Sequence, residues 1–109
     1  MAIEQMMTRE RLLALLEKIK TVKLLMVGDF FIDQYIFLNR SWSEISLETN
    51  LEAYQVQKVR NSLGAAGSVV TNLRVLGASV EVVGMIGTDA NGWVMQQLMD
   101  ELGIGRQNL

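Results

Sequence analysis

Histidine and cysteine are both missing from the 109 residues. Without histidine there is no imidazole base, no Ser-His triad and no His-ligated metal. Without cysteine there is no thiol nucleophile, disulfide, thiolate zinc or iron–sulfur site. Chemistry is left to carboxylates, Lys, Arg, hydroxyls, amides and backbone N–H groups. Clustered positive charge is lacking too. Ten Lys and Arg against twelve Asp and Glu give a net charge of −2, and the cations are scattered from Arg9 to Arg106. Nucleic acid is held by basic patches, so no nucleic-acid partner is expected. The longest charge-free stretch, Asn61 to Leu73, holds Asn, Ser, Thr and several Gly and is too short to cross a bilayer. No membrane partner is expected either. Glu4 and the charges on both sides of the N-terminal leucines do not fit a signal peptide, so a cytoplasmic location is the default expectation.

What is present reads as one globular domain with one core: half of the residues are apolar and a fifth are charged. Thr8 can cap a helix in which Leu12, Leu13, Leu15, Leu16 and Ile19 form an apolar stripe, with one face expected to be buried. Lys23 to Gly28 is a short apolar run ending in Gly-Asp, the pattern of a parallel strand buried on both faces. Ile32 to Leu38, rich in aromatic and β-branched residues, predicts a second strand. Asn39 to Asn50 reads as irregular, anchored by Trp42 and Ile45. Tyr54 to Arg60 alternates as a half-exposed strand, with Tyr54 and Val56 on one side and Gln55 and Gln57 on the other. Gly64-Ala65-Ala66-Gly67 opens a helix through Leu76, with Val69, Val70, Leu73 and Leu76 inward and Gly77 just past its end. Ser79 to Met85 is a further strand. The turn from Gly87 to Gly92 leads into a helix closed by Gly103, in which the methionines and Trp93 serve packing. Helix and strand alternate around a small β excursion, which is an α/β pattern built on a parallel sheet. Ligands of such sheets sit beyond the carboxyl ends of the strands, here Gly28-Asp29 and Gly84 to Asp89.

Two segments could carry chemistry. Asp29 and Asp33 follow the first strand, where an ionised carboxylate can accept paired hydrogen bonds from vicinal sugar hydroxyls. The plainer alternative is that Asp29 caps backbone N–H groups of the turn and Asp33 is solvated. Gly64 to Gly67 stands at a helix start, where small residues let a ligand approach backbone N–H groups; the alternative is close helix–sheet packing. Neither G-x-G-x-x-G after the first strand nor G-x-x-x-x-G-K-[ST] is present. Glu44, Glu48 and Glu52 are interleaved with Ser, Thr and Asn as a solvated segment, so no metal site is expected there.

Together LLMVGDFFID (Leu24–Asp33), GAAGSVVTNLRVLGA (Gly64–Ala78), VEVVGMIGTDANG (Val80–Gly92) and MDELGI (Met99–Ile104) resemble the opening half of the ribokinase-like (PfkB) family of carbohydrate kinases. EISLETNLEAYQVQKV (Glu44–Val59) is similar to the lid segment of its heptose-phosphate kinase branch. The resemblance implies the N-terminal part of a three-layer, Rossmann-like ribokinase fold over residues 1–109, with a small β-sheet lid at about 32–60. It also implies phosphoryl transfer from ATP, with Mg2+, to a hydroxyl of a sugar or sugar phosphate. Asp33 would hold sugar hydroxyls, and Gly64, Ala65, Ala66, Gly67 and Ser68 would line the sugar site. The lid would close over substrate, and in several members it also forms the dimer contact, so a homo-oligomer through the lid or an exposed sheet edge is expected. Ser68 stands where the family usually has Asn, and Phe31 where some sugar kinases carry a polar contact. The catalytic Asp, the anion hole and the nucleotide site are expected beyond Leu109, so ATP and Mg2+ belong to a full-length parent and this segment alone is expected to be inactive. The alternatives are a non-catalytic sugar-phosphate-binding or dimerisation module and, opposed by the missing glycine fingerprint, an unrelated Rossmann-like nucleotide-binding domain.

Overall fold

A computed structural model describes residues 7–109. Glu4, invoked above against a signal peptide, lies outside them. The element order is α1 (Arg9–Ile19), β1 (Lys23–Val27), β2 (Phe30–Ile45), β3 (Glu52–Ala65), α2 (Ala66–Val75), β4 (Ser79–Val83), α3 (Ala90–Glu101) and β5 (Gly105–Asn108). This is the expected alternation with β5 added. Strands β1, β4 and β5 form a parallel sheet in the order β1-β4-β5, and β2 and β3 form a separate antiparallel hairpin.

The core lies on one face of the parallel sheet. Val80 and Val82 of the central strand pack with Val70 of α2, Met95 and Met99 of α3, Ala78 and Ile104, and Phe30 and Leu63 extend this cluster to the base of the hairpin. Gly77 takes φ +103° just past α2, a conformation that needs glycine, and the turn lets Ala78 re-enter the core. Arg74 fastens the ends of both helices: its Nε donates to the Leu102 carbonyl at 2.9 Å and its Nη1 to the Ala78 carbonyl at 2.7 Å.

None of the described elements covers the opposite face of the sheet, and several expectations fail for that reason. Strand β1 is not buried on both faces: it is an edge strand, and Leu25 and Val27, which point away from the helices, are 63% and 68% exposed. Helix α1 is capped as expected, the Thr8 hydroxyl accepting from the Arg11 N–H at 3.2 Å, but it buries no face. Only Ile19 at its C-terminal end joins the core, and Leu12, Leu13 and Leu15 stay exposed. Val69 and Leu76 of α2 also face outward, because Val70 and Leu73 already fill the side against the sheet. Met95 and Met99 do pack, whereas Trp93 and Met85 are exposed.

The hairpin is longer than the sequence suggests. Asn39 to Ile45 continues β2 instead of forming an irregular segment, and Trp42 and Ile45 are exposed, not anchors. Sixteen residues in one strand extend roughly 50 Å at about 3.3 Å each. The hairpin therefore projects from the body, and the radius of gyration is 20.3 Å, against about 13 Å for a compact chain of this length. Its pairing shifts between Phe37 opposite Lys58 and Leu38 opposite Val56, leaving Gln57 as a bulge. Because a bulge exchanges the faces, the simple alternation read for Tyr54 to Arg60 breaks at Gln57.

Candidate functional site

The turn between β1 and the hairpin is held from two sides. The Gly28 N–H donates to the Val83 carbonyl at 3.3 Å, and the Ala66 N–H donates to the Asp29 carbonyl at 3.0 Å. These bonds set the start of α2 against the carboxyl end of the parallel sheet, where an α/β ligand site is expected. It is the carbonyl of Asp29 that ties the turn. Its exposed side chain caps no N–H among the described residues, contrary to the plainer expectation for it.

Antiparallel pairing then sorts the candidate residues. Phe31 lies opposite Gly64 and Asp33 opposite Ser62, so all four share one face of the hairpin. The Phe31 ring lies directly over Gly64, in the space a β-carbon there would need. Asp33 Oδ2 is 3.0 Å from that same point. Any larger residue at position 64 would push both side chains aside. Asp33 is half-buried, and its carboxylate has no hydrogen-bond partner among the described residues. Phe31, 51% exposed, lines a cleft of about 560 Å³ with Met85, Ile86, Gly87, Asp89 and Asn91 from the loop beyond β4. The sequence gives no reason to single out Met85, Ile86 or Asn91, because apolar and amide residues in a loop carry no chemical signature of their own. Asp89 is already engaged, its Oδ1 accepting from the Gly92 N–H at 2.9 Å as the cap of α3.

The Gly-rich segment is divided between two elements. Gly64 and Ala65 end β3, and the helix begins at Ala66, two residues later than the sequence suggests. Ala65 stands at the junction with φ +51° and ψ −122°, a backbone region that favours glycine, and no side chain caps the helix start. Gly67 is packed against Leu63, so here the close-packing alternative holds. Ser68 donates its hydroxyl to the Leu63 carbonyl at 3.0 Å. It lines a separate cavity of about 360 Å³ with Asn61, Ser62, Thr71, Asn72 and Glu101. The structure therefore brings Phe31, Asp33 and Gly64 together and sets Ser68 on a neighbouring opening that reaches the strand paired with Asp33.

Farther along the same hairpin face, Tyr35 lies opposite Arg60 and Phe37 opposite Lys58. The Arg60 guanidinium stacks on the Tyr35 ring, 4.6 Å from its centroid. The sequence did not reveal this pairing, because the pattern of either strand alone does not say which residues stand opposite each other. The acidic residues Glu44, Glu48 and Glu52 lie exposed around the hairpin tip. No group of three or more Asp or Glu is placed to hold a metal among the described residues, and no helix there is long and apolar enough to cross a membrane.

No family model matches the chain. Individual relatives do. "Bifunctional protein HldE" of Citrifermentans bemidjiense is 33% identical over 103 residues, covering 94% of this chain and 21% of the relative. The protein of the same name from Campylobacter curvus is 40% identical over 86 residues (79% and 18%), and that of Sulfurimonas denitrificans 37% over 89 residues (82% and 18%). The chain spans about a fifth of the length of these curated relatives. Four segments in the order of the family's opening half, and identities of this level over most of the chain, place it in the N-terminal part of the ribokinase-like (PfkB) family of carbohydrate kinases, most like the heptose-phosphate kinase branch.

Proposed function

We propose that residues 1–109 form the sugar-binding and lid portion of an ATP-dependent carbohydrate kinase with the three-layer ribokinase-like fold. The reaction is phosphoryl transfer to a hydroxyl of a sugar or sugar phosphate. The observation that carries this reading is the unpartnered Asp33 carboxylate beside Gly64 and Phe31 at the carboxyl end of a parallel sheet. An ionised carboxylate there accepts two hydrogen bonds from neighbouring hydroxyls of one sugar ring, and such charge-assisted bonds are the stronger kind. On this reading Gly64 borders the sugar and Ser68 lines the neighbouring opening, and the projecting hairpin is the lid that closes over substrate and keeps water out.

The described residues do not fit a nucleotide or its metal. They hold neither a phosphate-cradling glycine loop nor a cluster of carboxylates for Mg2+. No step through ATP is therefore assigned to them. ATP, Mg2+ and the catalytic Asp belong on this reading to parts of the parent outside residues 1–109. Phosphoryl transfer depends on positioning and charge stabilisation around the phosphates, so the segment alone is inert. Incubated with ATP, Mg2+ and a panel of sugars and sugar phosphates, it binds sugar and releases no ADP above the buffer rate, whereas the full-length parent does both. ADP release that survives repurification and disappears in Asp33→Ala would overturn the assignment.

The exposed apolar residues favour a second reading, a non-catalytic module that binds sugar phosphate or pairs with another copy. Ile36, Phe37, Leu38, Val56 and Val59 are exposed along the hairpin, and β1 offers an unpaired edge. Light scattering at micromolar concentration should then show dimers or larger species. A strictly monomeric, cooperatively unfolding chain removes the pairing half of this reading.

A further inference from the structure

The Phe31 ring and the Asp33 carboxylate converge on one point over Gly64, where Oδ2 of Asp33 stands 3.0 Å from the place a β-carbon would take. A ligand that reaches the carboxylate therefore also meets the ring. The ring in turn lines the cleft of about 560 Å³, a volume suited to a small molecule and not to a flat protein contact. Strand β2 and the loop beyond β4 give this cleft Phe31, Met85 and Ile86, whereas its two polar side chains, Asp89 and Asn91, come from the cap and first turn of α3. Asp89 is committed to the Gly92 N–H through its Oδ1. No lysine or arginine lines the cleft, so it offers no partner to an anionic group. Phe31 is 51% and Met85 90% exposed, and both still have apolar surface to remove from water when a ligand covers them.

We propose that the cleft selects a deoxygenated sugar, one that carries a methyl group where a common sugar carries a hydroxymethyl, and that Phe31 is the residue that sets this preference. The inference rests on the assignment of Asp33 to the sugar hydroxyls. With two ring hydroxyls on Asp33, the adjoining part of the ligand lies against Phe31, Met85 and Ile86. A methyl group there gains contact with the ring and loses nothing by leaving water. A hydroxyl in the same place gives up its hydrogen bonds to water, and none of these three side chains can replace them. The preference is thus a property of the apolar wall, while affinity for the hydroxyl pair is a property of Asp33. Replacing one should change the ratio between two ligands, and replacing the other should change both ligands alike.

The test is a calorimetric titration of the 109-residue chain with two ligand pairs, mannose with 6-deoxymannose and galactose with 6-deoxygalactose. Within each pair the ring hydroxyls are the same, and each ring presents two neighbouring hydroxyls on one side. Wild type should bind the deoxy member at least about fivefold more tightly in each pair that binds. Phe31→Asn, which puts an amide where the ring stands, should abolish or reverse that preference, while Phe31→Leu should keep most of it. Asp33→Asn should weaken both members of a pair and leave their ratio unchanged. Equal affinities within the pairs in wild type overturn the proposal whatever the variants do, and so does a Phe31→Asn variant that keeps the preference; both results leave the Asp33 assignment standing. Absence of binding by all four sugars overturns both. Phe31 lies outside the buried core, and a far-UV circular dichroism melt of each variant matching wild type confirms that folded proteins are compared.

Discussion

The body and the hairpin of this molecule are stabilised in different ways. In the body, β4 is flanked by strands on both sides and covered by α2 and α3, and Val70, Val82 and Met99 are wholly or almost wholly removed from water. The hairpin is held by its backbone ladder. Only its base, through Phe30 and Leu63, reaches the core. Burial holds the helix-covered face of the body together, whereas the hairpin leaves both of its faces free to meet a ligand or another chain. The chemically suggestive residues, Asp33, Arg60 and Lys58, all lie on the hairpin.

The largest effect that separates the two regions is loss of stability from a cavity. Met99→Ala should destabilise the chain by about 2–5 kcal/mol in urea unfolding, because a fully buried side chain is deleted where its neighbours cannot close in. Leu38→Ala on the exposed hairpin should change stability by only about 0.5 kcal/mol. Similar costs at both positions would mean that the hairpin is packed in solution, as self-association would require.

The same contrast decides how much could be read from the sequence. The apolar run of β1, the helix end at Gly77 and the turn into α3 are set by local rules, and all three elements are found. Burial of Leu25, Val27 and the α1 leucines was not legible, because their pattern requires a covering layer that the described residues do not provide. In the hairpin, Asp33 was legible as a carboxylate after a strand. Its cross-strand neighbours were not, since they follow from the register that sets Asp33 opposite Ser62 and Tyr35 opposite Arg60, which neither strand's own pattern reveals, and the bulge at Gln57 moves Val56 to the other face. The position of Ser68 followed from the helix starting at Ala66, which depends on the unusual backbone of Ala65.

Gly64→Ala and Ala65→Gly sharpen the comparison at the hinge between the regions. A methyl at position 64 must displace the Phe31 ring and the Asp33 carboxylate. It should cost about 1–3 kcal/mol in stability and weaken sugar phosphate binding by calorimetry. Ala65→Gly should act the other way. Relief of a non-glycine residue at φ +51° should raise stability by about 1 kcal/mol in the same urea titration, after the extra entropy of the unfolded glycine is counted.

The smallest effect lies in the body. Arg106 grips Asp100 with two bonds, Nε to Oδ1 at 2.6 Å and Nη2 to Oδ2 at 2.9 Å. These bonds hold the Asp100 carboxyl below its ordinary pKa and raise that of Arg106. A carboxylate with a lowered folded pKa contributes stability that is fully present above its unfolded pKa of about 3.9 and is lost as the pH falls through the folded value. The pair is solvent-exposed, so Asp100→Asn should remove only a slight acid-side dependence, seen as a small flattening of melting temperature against pH below about 4.

The central claim is that the hairpin face at Asp33 holds sugar hydroxyls, and calorimetric titration of Asp33→Asn beside Glu52→Gln tests it most directly. Asn keeps the shape and removes the charge at the proposed contact, while Glu52 lies on the exposed hairpin tip. With sedoheptulose phosphate as the probe, Asp33→Asn should lose about 1.5–3 kcal/mol of binding free energy and Glu52→Gln should bind like wild type. Wild-type affinity in Asp33→Asn would contradict the account and leave Asp33 a solvated turn residue.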